Sequence, residues 1–196
     1  MSQNRNIDYF QGILQLREVD QDVVDFTISQ FRKNNIGIAK VKPLKNGVDI
    51  YSASNKFLRI FVRKLQKIYG GEVKESPKLF SRDRMTSKNI YRLNVLYRAL
   101  PVKKGDIITR DSHIYQITSF DKEILLVLDL KTGKRKRLHY ENDEAMDVYD
   151  SLVISIKPEI IVLDKDYQPI KVANPRKHKE GDMVSAVFFE NKAFLV

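Results

Sequence analysis

Cysteine is missing from the 196 residues, which removes disulfides, thiolate zinc sites and cysteine nucleophiles at once. Histidine is nearly missing too. His113, His139 and His178 stand far apart, without the i, i+4 or HxH spacing that brings ligands onto one ion, and each reads as an ordinary loop or strand histidine. No apolar run approaches the ~18 to 20 residues of a membrane span, and the opening MSQNRNIDYF has no signal-peptide core. The expectation is a soluble, cytoplasmic protein with no membrane partner. Also absent are a glycine-rich phosphate loop, a dinucleotide fingerprint, a GxSxG elbow and paired carboxylates in an apolar context. No catalytic residue, metal, cofactor or small-molecule substrate is therefore expected. Asp83, set between Arg82 and Arg84, reads as an internal brace that orients its neighbours rather than as a base.

What is present is enough apolar sequence to fold, 42% hydrophobic against 31% charged, and a formal charge of +10 that is unevenly spread. Residues 1–100 hold 19 Lys and Arg against 9 Asp and Glu, residues 101–150 hold 9 against 10, and residues 151–196 hold 7 against 6. Charge added only for solubility would be distributed along the chain. Concentrated in one half, it reads as an electrostatic footprint for nucleic acid.

Residues 9–17 carry Phe10, Ile13, Leu14 and Leu16 in an extended run, which predicts a strand. Asp20 and Asp22 then stand where the dipole of a helix over 21–34 favours acid, with Val24, Ile28 and Phe31 on one face and Arg32-Lys33 at the basic end. Asn46-Gly47, between the apolar runs 36–44 and 48–52, predicts a hairpin. Ser54 or Asn55 caps a second helix to about Tyr69, with Phe57, Leu58, Phe61, Val62, Leu65 and Ile68 in one apolar arc and Gly70-Gly71 as its stop. Strands over 73–80 and 90–100 complete a β-α-β-β-α-β-β order. Such an α+β sandwich places both helices on one sheet face and leaves the other free, so that the free face or the hairpin tip is available for binding.

Pro101 and the turn 103–106 mark a boundary, beyond which short strands at 107–109, 114–120, 124–130 and 135–140 have the spacing of a small closed barrel of SH3-like kind. The acidic run 141–150 fits a linker or a short helical turn. Strands at 152–156, 160–163, 170–172, 183–189 and 193–196 form a last β unit, either OB-like or completing the first barrel. The expected division is 1–100, 101–148 and 149–196. Gly105-Asp106 and Gly181-Asp182 each precede an apolar strand and read as turns.

Four clusters are candidate RNA-binding residues. Lys56, Arg59, Arg63 and Lys67 recur at three- or four-residue spacing opposite the apolar arc of the second helix, with no acidic i, i+4 partner. Arg82, Arg84 and Lys88 crowd the loop between two strands. Lys131, Lys134, Arg135, Lys136 and Arg137 put five basic side chains into seven positions, and Arg176 with Lys177 lies in a basic loop at 174–179. Tyr91, Tyr97 and Tyr115 offer rings for stacking, although packing is the commoner fate of a tyrosine.

The runs GILQLR at 12–17, GVDIY at 47–51, FLRIFVRKL at 57–65, VKESPKLFSRDRMTSKNIYRLNVLYR at 73–98 and VKKGDI at 102–107 resemble the archaeal branch of the Nmd-three family, the export adaptor of the large ribosomal subunit in eukaryotes. The pattern KES.KL..RDR.T.K..YR.....R is the specific part. The resemblance implies a non-catalytic adaptor of the large subunit in late maturation, contacting rRNA and ribosomal proteins through barrel modules like those of translation factor five A. Relatives carry N-terminal zinc-binding CxxC motifs, which this cysteine-free sequence lacks, and no leucine-rich export tail is recognisable. A monomer is expected. The rival expectation is a protein-interaction adaptor that docks on ribosomal or translation proteins without touching RNA.

Overall fold

The computed structural model describes residues 9–196 apart from Asp83 and Thr86, so the brace expected of Asp83 lies outside the described residues. The chain separates into two compact units, one running to Pro101 and including Asp121–Glu123, the other made of Val102–Phe120 and Ile124–Val196.

Strand alternation builds the first unit. β1 (Gly12–Arg17) lies at the centre of a five-stranded sheet, antiparallel to β3 (Gly47–Ser52) and parallel to β5 (Asn89–Arg98). β2 (Ile38–Leu44) and β4 (Glu72–Arg82) form the two edges, giving the order β2-β3-β1-β5-β4. Leu14, Leu16, Ile50, Leu93, Val95 and Tyr97 are buried on one face, beneath α1 (Gln21–Lys33) and α2 (Asn55–Tyr69). The β-α-β-β-α-β-β order and the one-sided helical layer are therefore as the sequence predicts.

The two helices meet through rings. Phe57 and Phe61, four residues apart on α2, stack at 5.4 Å, and Phe31 of α1 presents its edge to them at 4.8 and 6.0 Å. Ser54 caps α2, its hydroxyl accepting from the Phe57 amide at 3.2 Å. At the other end the buried Tyr97 hydroxyl donates to the Gly70 carbonyl at 2.6 Å, and burial pushes the phenol well above its ordinary pKa. Because Asn55 also reaches the Tyr91 carbonyl, α2 runs alongside β5 in the same direction.

Local details depart from the sequence reading in three places. Ile68, assigned to the apolar arc, is 37% exposed, because the core side of α2 ends on Leu65 and Tyr69. The hairpin loop is Lys45-Asn46, and the positive φ falls on Gly47, the first residue of β3. A Cβ on Gly47 would sit 1.9 Å from the Leu16 carbonyl, so close passage of β1 selects glycine as firmly as the dihedral does. α1 ends at Lys33 rather than Asn34.

In the second unit β6 (Ile107–Arg110), β7 (His113–Asp121), β8 (Ile124–Asp129) and β9 (Arg135–His139) form a meander. β10 (Tyr149–Ser155), β11 (Ile161–Leu163), β12 (Pro169–Lys171), β13 (Met183–Phe189) and β14 (Lys192–Leu195) form a second sheet in the order β12-β11-β10-β13-β14. A bridge between Val172 and Ala193 brings its two edges together, and the Asn174 carboxamide exchanges two hydrogen bonds with the Leu195 backbone at 2.7 and 2.9 Å. That curling hides the strand edges of a small barrel. Ile107, Ile114 and Leu130 share a core with Val187 and Phe194, so the two sheets pack on one another.

The connection at 141–148 is irregular rather than helical, and its acid does not all face solvent. Asp143 is nearly buried and grips the Arg110 guanidinium at 2.5 and 3.2 Å. Asp129, fully buried, accepts from the Lys131 and Thr132 amides at 2.9 and 3.0 Å and faces His113 at 3.1 Å and Lys136 at 3.5 Å. Burial works to raise its pKa, but the hydrogen bonds from Thr132, Lys131 and His113 outweigh it and hold the carboxyl below its ordinary value.

Two outcomes follow. Tyr97→Phe strands the Gly70 carbonyl and should cost the first unit about 1 to 3 kcal/mol in urea unfolding, while an unchanged midpoint would remove this hydrogen bond from the account. Asp129 has a lowered folded-state pKa, so its stabilisation is complete above the unfolded value of about 3.9 and is lost as pH falls through the folded one. Thermal melts between pH 7 and 3 should show this loss in the native chain and a flatter profile in Asp129→Asn.

Candidate nucleic-acid interface

Alternation that buries Leu93, Val95 and Tyr97 must turn Arg92, Asn94, Leu96 and Arg98 to the opposite, helix-free face. Cross-strand register adds Lys74 and Lys78 from β4, Arg17 from β1, and Lys40 and Lys42 from β2. Some of this charge is spent within the fold. Arg17 binds Asp49 at 2.7 Å, Arg98 meets Glu18 at 3.2 Å, and Glu72 holds Lys74 at 2.7 Å. Among the described residues no carboxylate pairs with Lys40, Lys42, Lys78 or Arg92.

Beyond the sheet proper, β4 and β5 continue as a two-stranded arm, with a register shift between Leu79 and Ser81. Arg82, Arg84 and Lys88 are exposed at its end, where Arg82 donates to the Ser87 carbonyl at 2.9 Å and so shapes the turn. The arm leaves the sheet near the α2 N-terminus, as the bond from Asn55 to Tyr91 shows. Lys56, Arg59, Arg63 and Lys67 are all exposed on α2, over about three turns. The structure therefore gathers two of the four predicted clusters into one row along the β4 side of the unit. One member is partly neutralised: Arg59 binds Glu75 at 3.0 Å, a partner sixteen residues away that an i, i+4 search along the helix misses. Lys56, Arg63 and Lys67 have no carboxylate partner among the described residues.

The basic hairpin of the second unit is less uniform than its sequence. Lys131 binds Glu190 and the Ser112 carbonyl, both at 2.8 Å, and lies over the Phe189 ring. Lys136 is exposed but engaged, donating to the Tyr115 hydroxyl at 3.1 Å, and that hydrogen bond, with help from Asp129, raises its pKa. Lys134 is exposed in the turn, and Arg135 and Arg137 flank a cleft of about 250 Å³ floored by Thr118 and Leu126. Arg176 and Lys177 are exposed in the loop between β12 and β13, away in sequence from the other cluster.

Of the three tyrosines, Tyr97 is spent in the first core, and Tyr115 is buried against His113 and Lys136. Tyr91 is 49% exposed on the arm. Sequence reasoning missed Lys40, Lys42, Lys78 and Arg92, although a period of two read along β2, β4 and β5 places each on the face opposite the core. Among the described residues no group of three or more His, Asp or Glu side chains is arranged to hold a metal ion, and no helix is long and apolar enough to cross a membrane.

No curated protein matches the chain. Residues 9–98, which span all seven strands and helices of the first unit, match the family model described as NMD3, second domain. The match ends short of the 102–107 segment. This β-α-β-β-α-β-β unit, with its one-sided helices and basic arm, belongs to the NMD3 family.

Proposed function

We propose that the chain is a non-catalytic adaptor that binds the large ribosomal subunit during late maturation and does so through the rRNA backbone. The family is one of adaptors without enzymatic activity, linked to ribosomal subunit export and biogenesis. The observation that carries the RNA reading is the row of exposed cations from Lys56, Arg63 and Lys67 on α2 to Arg82, Arg84 and Lys88 on the arm. Such a row follows a phosphate backbone, and with few groove-reading side chains it recognises charge and shape rather than sequence. Lys134 and Arg135 in the second unit, with Arg176 and Lys177, supply further contacts, while Arg59, Lys131, Lys136 and Arg137 contribute less because each is already engaged. In this reading residues 1–100 are the RNA-facing domain, 101–148 a small SH3-like barrel and 149–196 a C-terminal β unit. The chain acts as a cytoplasmic monomer, and ribosomal proteins complete the surface it docks on.

Co-sedimentation with purified large and small subunits across a salt series tests the proposal. If about six phosphates are contacted, affinity for the large subunit should fall by about three orders of magnitude between 50 and 200 mM salt. The combined Arg82→Glu, Arg84→Glu and Lys88→Glu variant should bind weakly and with a shallower salt slope. Unchanged binding by that variant at physiological salt, or binding that survives RNase digestion of the subunit, would assign the interaction to protein instead.

A further inference from the structure

Arg92 is held in an unusual way. Its guanidinium carbon lies 3.9 Å from the centre of the Phe10 ring and 3.5 Å from the centre of the Phe80 ring. Two rings this close cannot share one face of a planar group, so the guanidinium is sandwiched between them. Phe10 is fixed in turn by the Tyr51 ring, edge-on at 4.8 Å. The result is a stacked column of ring, guanidinium and ring standing on the helix-free face. Arg92 Nε is shut off from solvent without a hydrogen-bond partner, and no bond from its other nitrogens is made to any described residue. A buried donor left unused costs stability unless something gains from it, and here what the column gains is orientation of Phe80.

Phe80 ends the column. It is the residue displaced at the register shift in β4, which turns it over Arg92, and it remains 52% exposed. One ring face is covered by the guanidinium and the other is open. Ile90, which by alternation shares the face of Arg92, is 41% exposed as well, while Leu79 and Tyr91 are exposed on the opposite face of the arm. The charge surrounding these rings decides what covers them. Residues 76–92 hold Lys78, Arg82, Arg84, Lys88 and Arg92 against the single acid Asp83, so the occupant must be anionic as well as flat.

We propose that the open face of Phe80 is a stacking site for an unpaired RNA base, with Phe10 and Arg92 as positioning residues and the arm cations engaging the flanking phosphates. This rests on the RNA reading above and deepens it by dividing labour: the α2 row follows a backbone, and the column takes a base that has left its helix. Every base has a flat face, so the site tolerates any nucleotide and selects single strands over duplex.

The chain contains no tryptophan, which makes the test direct. Phe80→Trp keeps a ring on the column and adds the only indole, so a stacked base should quench its fluorescence. Titrations of the full chain at 200 mM salt would use a 12-nucleotide adenylate strand, an abasic strand of the same length and charge, and a 12-base-pair RNA duplex. Phe80→Ala should weaken adenylate binding by about tenfold, leave duplex and abasic binding unchanged, and keep a native circular dichroism spectrum. Phe80→Trp should restore affinity and be quenched by the adenylate strand and not by the abasic one. Equal adenylate affinity in the native chain and in Phe80→Ala, or quenching by the duplex alone, would overturn the stacking site while leaving the backbone reading intact. Failure to bind any of the three RNAs would overturn both. Quenching by ribosomal proteins stripped of RNA, with none by the adenylate strand, would give the arm to a protein partner.

Discussion

The position of β1 constrains everything else in the first unit. Flanked by β3 and β5, and covered by two helices on one side only, it fixes the phase of every strand in the sheet. A slip of one residue in the β1–β5 pairing would bring Arg92 and Arg98 under the helices and expel Leu93, Val95 and Tyr97, an exchange of core for charge that no local adjustment could offset. The same alternation that makes the core therefore makes the basic face. Stability and electrostatic character are two consequences of one register.

Charge counts taken along the chain do not describe the surface. Glu75 lies far from Arg59 in sequence yet neutralises it, and Glu72 and Glu18 do the same around Lys74 and Arg98. The near-neutral stretch 101–150 hides Asp129, which is fully buried and satisfied by the backbone amides of its own turn. It also faces Lys136 at 3.5 Å, so within this hairpin it offsets one cation. Lys134 and Arg135 remain exposed beside it, so the hairpin presents more positive surface than its segment totals imply.

Much of the fold was legible because its cues are local. Ser54 before an apolar arc, Gly70-Gly71 after it and Asn46-Gly47 between two runs placed α2 and the β2–β3 hairpin within a residue or two. In the second unit, the short strands were legible from turn residues at regular spacing. The candidate site was legible in outline only. Its residues on α2 and the arm were found by density of charge, but the partner of Arg59 and the sandwich around Arg92 join positions 12 to 82 residues apart, and no periodic pattern announces a contact of that separation. Ile68 was misplaced for a related reason: helical phase names the apolar side, while the extent of the sheet beneath decides how much of that side is covered.

The central claim is that the cations of the α2 row and the arm face rRNA rather than solvent or protein. Because the chain has no cysteine, single cysteines introduced as Lys88→Cys on the arm and Ser29→Cys on the exposed side of α1 can each carry a tethered iron chelate without background labelling. Hydroxyl-radical probing of large subunits bound by these variants should cut rRNA in a confined region from position 88 and give little or no cutting from position 29. Absence of cleavage from position 88, or an equal pattern from both, would contradict the account.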